Sequence, residues 1–84
     1  MTPKVTFSSF VTSLYASTMQ YLGDSSSPPD AEKLIMAKQT IDLLEVLEAK
    51  TRGNLDEEES RLMAQLLHDL RLRFVSAKKT KMNS

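Results

Sequence analysis

Apolar residues recur at helical spacing in three stretches of the chain, and the first stretch predicts a helix over about residues 6–22. Gly23 predicts the end of this helix, since glycine accepts the left-handed backbone that closes helices. Thr18 completes a face that is otherwise apolar. The apolar members of that face are Phe7, Phe10, Val11, Leu14, Tyr21 and Leu22.

The second stretch predicts a helix over about residues 29–52, with Ser27 or Asp30 as its cap. Its apolar residues fall into two adjacent rows that together cover about half the circumference, more than the roughly 100° of an ordinary surface helix. We therefore expect this helix to pack against two neighbours. One row contains Leu34, Ala37, Ile41 and Leu44, and the other contains Met36, Leu43 and Leu47.

The segment "KTRGNLDEEE" reads as the connection between helices two and three. Gly53 predicts the end of helix two, with Lys50 and Arg52 in its last turn. Asp56 followed by Glu59 has the spacing of a capping box at the start of helix three. A connection this short joins neighbours that run in opposite directions, so helices two and three are expected to form an antiparallel hairpin.

The third stretch predicts a helix over about residues 56–77. Residues 1–4 and 78–84 are expected to be flexible, and the chain reads as one all-α domain over 1–84. The acidic residue comes first in two i,i+4 pairs, Glu57 with Arg61 and Asp69 with Arg73. The apolar face of this helix contains Met63, Leu66, Leu67, Leu70 and Phe74.

Composition and charge argue against an enzyme or a metal protein. The 84 residues contain no cysteine and one histidine, so we expect no disulfide and no structural zinc site. The acidic run that begins at Asp56 lacks calcium-loop spacing, and no phosphate-binding loop is present. His68 and Asp69 are neighbours on a helix and do not face each other, which argues against a catalytic pair. We expect no catalytic residue, cofactor or metal.

The stretch Val5–Gly23 contains no charged residue, which raises the question of a membrane segment. Seven of its 19 residues are Ser or Thr, whereas a spanning helix needs about 20 predominantly apolar residues. An interfacial helix would carry Lys or Arg on its polar face, and helix one carries none there. We therefore expect a cytoplasmic protein that does not bind membranes.

The far side of helix one is small and uncharged, although exposed helix faces usually carry Lys and Glu. Small side chains allow a second backbone to approach closely. The pattern favours burial of this side against another helix, and so predicts a helical homodimer. There are two alternatives. This side is exposed to solvent, where small polar residues are tolerated, or it is a docking surface for another protein. The predicted interface contains Ser9, Thr12, Ser13, Ala16, Ser17 and Gln20.

The basic end of helix three offers a second possible contact, for a regulatory partner or a nucleic acid. The chain has 11 basic and 11 acidic residues, so no overall field attracts nucleic acid. No aromatic residue interleaves the basic ones for base stacking, which favours a solubilising tail. The basic residues are Arg71, Arg73, Lys78, Lys79 and Lys81.

Three stretches of the sequence resemble a small bacterial family of helical proteins, a domain of unknown function. The stretches are "FSSFVTSL", "MAKQTIDLLEVLEAKTRGNL" and "LLHDLRLRF". The middle stretch carries the run Ala37–Leu44, which is specific to the family. In the last stretch, Leu67, Leu70, Arg71 and Arg73 occupy the positions of the family's C-terminal pattern. The resemblance covers about Phe7 to Val75.

This resemblance implies a bacterial, cytoplasmic, helical protein without an assigned activity, and it brings no catalytic residues. It places Gln39, Thr40 and Asp42 in the specific run, where they suit hydrogen bonds across an interface as well as ligand binding. The chain departs from the family pattern at two places. Asp56 and Glu57 stand where Thr-Pro is expected, and His68 stands where an aromatic residue is expected. Asp56 caps a helix as well as threonine does, so the fold expectation is unchanged.

Overall fold

Three helices pack around one core in a computed structural model, which describes residues 6–23 and 29–83. They are α1 (Phe7–Leu22), α2 (Ala31–Lys50) and α3 (Glu57–Asn83). Each helix contacts both of the others, and the described residues contain no strand. The prediction of an all-α fold with three helices is confirmed.

The predicted caps of α2 and α3 are present. The backbone N–H of Lys33 donates to the Asp30 carboxylate over 2.8 Å, and the alternative cap at Ser27 lies outside the described residues. At the start of α3, the N–H of Glu59 donates to Asp56 over 2.8 Å, and the N–H of Asp56 donates to the Glu59 carboxylate over 3.0 Å. These reciprocal bonds satisfy N–H groups that a helix start leaves unpaired.

The end of α2 differs from the prediction. The helix stops at Lys50 and is capped by Thr51, so Arg52 lies outside its last turn. Both the hydroxyl and the backbone N–H of Thr51 donate to the carbonyl oxygen of Leu47, over 2.6 and 2.9 Å. Both bonds belong to the last turn of the helix, and the chain leaves the helix before Gly53 is reached. Gly53 adopts a φ of 88° in the turn that follows, a conformation that glycine tolerates best.

The end of α3 also differs, because the helix continues to Asn83 and not to about residue 77. No glycine or proline follows Gly53 in the sequence. From residue 77 onward the alanine, the lysines and the methionine are good helix formers, so no local signal stops the helix. Residues 1–4, predicted to be flexible, lie outside the described part.

The core is formed by one apolar row from each helix. Thr18 is fully buried among these rows and donates its hydroxyl to the carbonyl oxygen of Leu14 over 2.7 Å, so its burial leaves no donor unpaired. The core rows predicted from helical spacing are confirmed at these positions. The buried apolar residues are Val11, Leu22, Ala37, Ile41, Leu44, Met63, Leu67 and Leu70.

Three residues predicted on buried faces are largely exposed. Phe10 of α1 is 44% exposed, and Met36 and Leu43 of α2 are 40% and 51% exposed. They lie at the margins of the apolar arcs, and two neighbouring helices cover only the central part of such an arc. The predicted second row of α2 is therefore only partly used by the three-helix fold.

Candidate interaction surface

The outer face of α1 consists of the six small or uncharged residues singled out from the sequence, and every one of them is exposed. The Ser13 hydroxyl donates to the carbonyl oxygen of Ser9 over 3.0 Å, and the Ser9 hydroxyl donates to the carbonyl oxygen of Thr6 over 2.9 Å. Since the helix itself satisfies these hydroxyls, a helix packed here would not need to supply partners for them. The face, called the α1 outer face below, contains Ser9, Thr12, Ser13, Ala16, Ser17 and Gln20.

One flank of α1 points toward α3. The Tyr15 hydroxyl donates to the Asp69 carboxylate of α3 over 2.6 Å, which fixes that flank. Successive residues of a helix are about 100° apart, so Phe10 and Ser17 lie on the opposite flank of α1. That flank faces α2, because α1 packs against both other helices.

The flanks of α2 can be assigned in the same way. Glu45 forms an ion pair with Arg71 of α3 over 3.2 Å, so the Glu45 flank faces α3. Met36 and Leu43 lie on the other side of the buried row, on the flank that borders α1. By this spacing, Phe10 of α1 and Met36 and Leu43 of α2 lie at the outer margins of the two helices on either side of the line where they meet, which is called the groove below. This groove adjoins the α1 outer face through Ser17.

The strongest polar cluster lies on the other side of α1. Asp69 Oδ2 accepts hydrogen bonds from the Tyr15 hydroxyl over 2.6 Å and from Arg73 Nε over 2.8 Å. The Tyr15 hydrogen bond, and then the Arg73 hydrogen bond, lower the pKa of Asp69. The hydrogen bond to Asp69 raises the pKa of the Tyr15 phenol, and desolvation adds to this. The predicted ion pair of Asp69 with Arg73 is present, whereas the contact with Tyr15 was not predicted.

This cluster joins side chains of α1 and α3. His68, which precedes Asp69 on α3, is exposed. Within the described part of the chain, no three His, Asp or Glu side chains lie close enough together to hold a metal ion.

The structure places Arg71 and Arg73 beside different helices. Arg71 is paired with Glu45 of α2, and Arg73 is paired with Asp69 on its own helix, beside α1. The two arginines therefore face different neighbours. Lys78 and Lys79 are exposed further along α3. Lys81 follows in the last turns of the helix, where only the backbone is described.

An open cavity of about 360 Å³ lies between α2 and the C-terminal half of α3. Its walls are mainly apolar. Lys38, at its edge, is paired with Asp42 over 2.7 Å, and that hydrogen bond raises the pKa of the lysine. Its volume lies at the lower end of the roughly 300–1,000 Å³ of ligand pockets, and it is open to solvent. It is lined by Leu34, Ile35, Lys38, Gln39, Phe74 and Lys78.

The chain matches a known protein family. The family described as Domain of unknown function (DUF1844) matches residues 4–76. The chain belongs to this family. No curated protein and no solved structure matches the chain. Among the described helices, none has the length and apolar character needed to cross a bilayer. The resemblance read from the sequence is thus confirmed at the level of the family, which assigns no activity.

Proposed function

We propose that this protein is a non-enzymatic helical interaction module that associates with a second copy of itself through the α1 outer face. The observation that carries this proposal is the position of that face. All six of its residues are exposed and uncharged, and they adjoin a groove lined by Phe10, Met36 and Leu43, which are 44%, 40% and 51% exposed. An uncharged helix face beside exposed large apolar side chains is typical of an association surface.

The magnitudes indicate that the groove and the α1 outer face act together. Covering the exposed parts of Phe10, Met36 and Leu43 contributes about 1 kcal/mol per side chain, or about 6 kcal/mol in a symmetric dimer. Association itself costs about 4–15 kcal/mol in lost freedom of motion. The gain from the three apolar side chains lies near the lower end of that cost, so close packing against the small residues of α1 is needed to give a clear surplus.

A non-enzymatic role is favoured by the state of the strongest polar cluster. A carboxylate whose pKa is lowered by two donors holds its proton weakly and is a poor general base. Asp69 is in this state, with Tyr15 and Arg73 as its donors. The cluster joins α1 to α3, which is a structural task.

Two further features belong to the proposal. One is the antiparallel hairpin of α2 and α3, supported by the ion pair of Glu45 with Arg71 and by the cavity that Leu34 and Phe74 line together. Leu34 near the start of α2 lies beside Phe74 in the C-terminal half of α3, whereas Glu48 near the end of α2 shares a depression with Ser60 and Met63 near the start of α3. The other feature is the cytoplasmic location, which the sequence favours.

The test compares three forms of the full chain by light scattering at matched concentrations: the unchanged protein, Ser13→Arg and Gln65→Arg. Ser13 lies on the α1 outer face, whereas Gln65 is exposed on α3, so the two variants add the same charge at different surfaces. We expect a dimer for the unchanged protein and for Gln65→Arg, and a monomer for Ser13→Arg. Arginine favours helix more than serine does, so loss of the dimer would not reflect loss of the helix. A Ser13→Arg variant that remains dimeric would overturn the proposed interface.

A further inference from the structure

The side of α2 that faces away from the core carries a second regular stripe. Its positions follow alternating steps of four and three residues, which is the 3.5-residue period of a helix seam that packs against another helix. All of them are exposed. The stripe, called the α2 seam below, contains Glu32, Met36, Gln39, Leu43, Val46 and Lys50.

The three-helix fold covers the α2 seam only in part. The core takes the opposite side of the helix, where Ala37, Ile41 and Leu44 are buried. Leu43 and Val46, in contrast, are 51% and 56% exposed at the centre and C-terminal part of the seam. The seam thus carries three large apolar side chains, Met36, Leu43 and Val46, that the core leaves about half exposed, which indicates a further packing partner.

The charges at the two ends of the seam identify that partner. Glu32 lies in the first turn of α2 and Lys50 in the last turn, with uncharged residues between them along the seam. The two ends are about 27 Å apart at 1.5 Å per residue. An antiparallel copy of the same helix would place Glu32 against Lys50 of the second copy at both ends, whereas a parallel copy would place like charges together.

We propose that the α2 seam packs antiparallel against the α2 seam of a second copy of this chain. In that register Met36 lies opposite Val46 of the second copy, and Gln39 lies opposite Leu43 of the second copy. The arrangement is two-fold symmetric, as expected for an isologous dimer. It rests on the self-association proposed above, and it names the surface that meets the second copy beside the α1 outer face.

Asp42 is the charged residue nearest the midpoint of the seam, and its charge does not oppose this pairing strongly. Asp42 lies beside the seam, so the two copies would bring two Asp42 side chains toward the symmetry axis. Each is already paired with Lys38 of its own helix over 2.7 Å, which reduces the net charge there.

The size of the seam explains why α1 also takes part. A strip about 27 Å long and one helix wide, about 10 Å, has less than half of the roughly 800 Å² that each partner buries in a stable dimer. The groove beside the seam leads to Ser13 and Ser17 of α1, whose small side chains let a second helix come close. By the same measure the α1 outer face, about 17 Å long from Ser9 to Gln20, adds about 170 Å². The two surfaces together therefore give a small interface, of the size found in weak association.

The test exchanges the end charges. Glu32→Lys places lysine against Lys50 of the second copy at both ends, and Lys50→Glu places two acids together there. We expect each single variant to raise the dimer Kd about tenfold in sedimentation experiments at low salt. The double variant Glu32→Lys with Lys50→Glu restores opposite charges, so its Kd should return to within about twofold of the unchanged protein.

The double variant separates the interface from damage to the helix. Each exchange is unfavourable to the dipole of α2, so a purely structural effect would be largest in the double variant. Restoration is the result that only pairing across the seam predicts. Glu58→Lys, an exposed charge exchange on α3, serves as the matched control and should leave the Kd unchanged.

Two results would overturn the inference in distinguishable ways. If Ser13→Arg dissociates the dimer while both single exchanges leave its Kd unchanged, the α1 interface stands and the seam does not. If the unchanged chain is a monomer at every concentration, both the seam and the proposed self-association are wrong.

Discussion

Removal of the Tyr15 hydroxyl is expected to weaken the junction between α1 and α3. That hydroxyl donates to Asp69 over 2.6 Å, and Arg73 donates to the same oxygen over 2.8 Å. A hydrogen bond to a charged acceptor contributes about 1.5–3 kcal/mol when protected from water. The Asp69 side chain is 37% exposed, so water replaces part of the lost bond. We therefore expect Tyr15→Phe to lower the free energy of unfolding by about 1 kcal/mol, or about 4–8 °C in Tm.

The stability lost in Tyr15→Phe should be smaller at low pH and at high pH than at neutral pH. The bonds from Tyr15 and Arg73 lower the pKa of Asp69 from its ordinary 3.8, so the stabilisation is complete above that value and is lost as pH falls through the lower folded pKa. The bond to Asp69 raises the pKa of Tyr15 from its ordinary 10.0, so the stabilisation is complete below 10.0 and is lost as pH rises through the higher folded pKa. The loss should be largest between about pH 5 and 9.

Urea unfolding followed by circular dichroism at acidic, neutral and alkaline pH measures this loss directly. Protein concentration has to be fixed, because association with a second copy would add to apparent stability. Tyr21→Phe is the matched control, since it removes the other tyrosine hydroxyl of α1 and leaves the contact with Asp69 in place. The absorbance of the tyrosinate ion should rise at higher pH in the unchanged protein than expected for a free phenol, and Tyr15→Phe should remove that component.

A Tyr15→Phe variant as stable as the unchanged protein at neutral pH would refute the reasoning. So would a loss of stability that is the same at pH 2.5 as at pH 7, since the bond to a charged carboxylate is the stated cause.

The remaining predictions concern stability and can be measured by thermal unfolding. Asp56→Ala removes the carboxylate that accepts from the N–H of Glu59 and should cost about 1 kcal/mol, and an unchanged Tm would mean that this cap contributes nothing. Gly53→Ala should cost about 1 kcal/mol because of its φ of 88°; no atom lies within 4 Å of an added Cβ, so a much larger loss would contradict a purely backbone origin. Leu67→Ala should cost about 2–5 kcal/mol, since the side chain is only 1% exposed, and a loss below 1 kcal/mol would place Leu67 outside the core.

Helix starts were predictable from the sequence because capping is local. Asp30 and Asp56 each bond to an N–H three residues ahead, and the sequence shows both partners. Helix ends were less predictable. α2 ends at Lys50, before Gly53 is reached, while α3 continues to Asn83 because no breaker follows. α1 does end at Gly23, as predicted, so a glycine closes one of the two helices that it was expected to close.

The chemical character of the surface residues was predictable from the sequence. Which apolar residues are exposed at the margins of the buried faces was not. Helical spacing showed which residues of α1 are small and uncharged, and the structure leaves them exposed. Spacing also placed Phe10 and Leu43 on buried faces, although both are largely exposed. Which margin of an apolar arc is covered depends on how neighbouring helices cross it, and crossing is a tertiary property. The bond between Tyr15 and Asp69 joins residues 54 positions apart, so local pattern gives no sign of it.

The central claim is that the chain associates with itself through the side formed by α1 and α2. Sedimentation equilibrium of the unchanged chain across a dilution series tests it most directly. We predict a concentration-dependent rise in mass from the 9.5 kDa of one chain to twice that value, with no larger species. A mass that stays at 9.5 kDa at every concentration would contradict the claim.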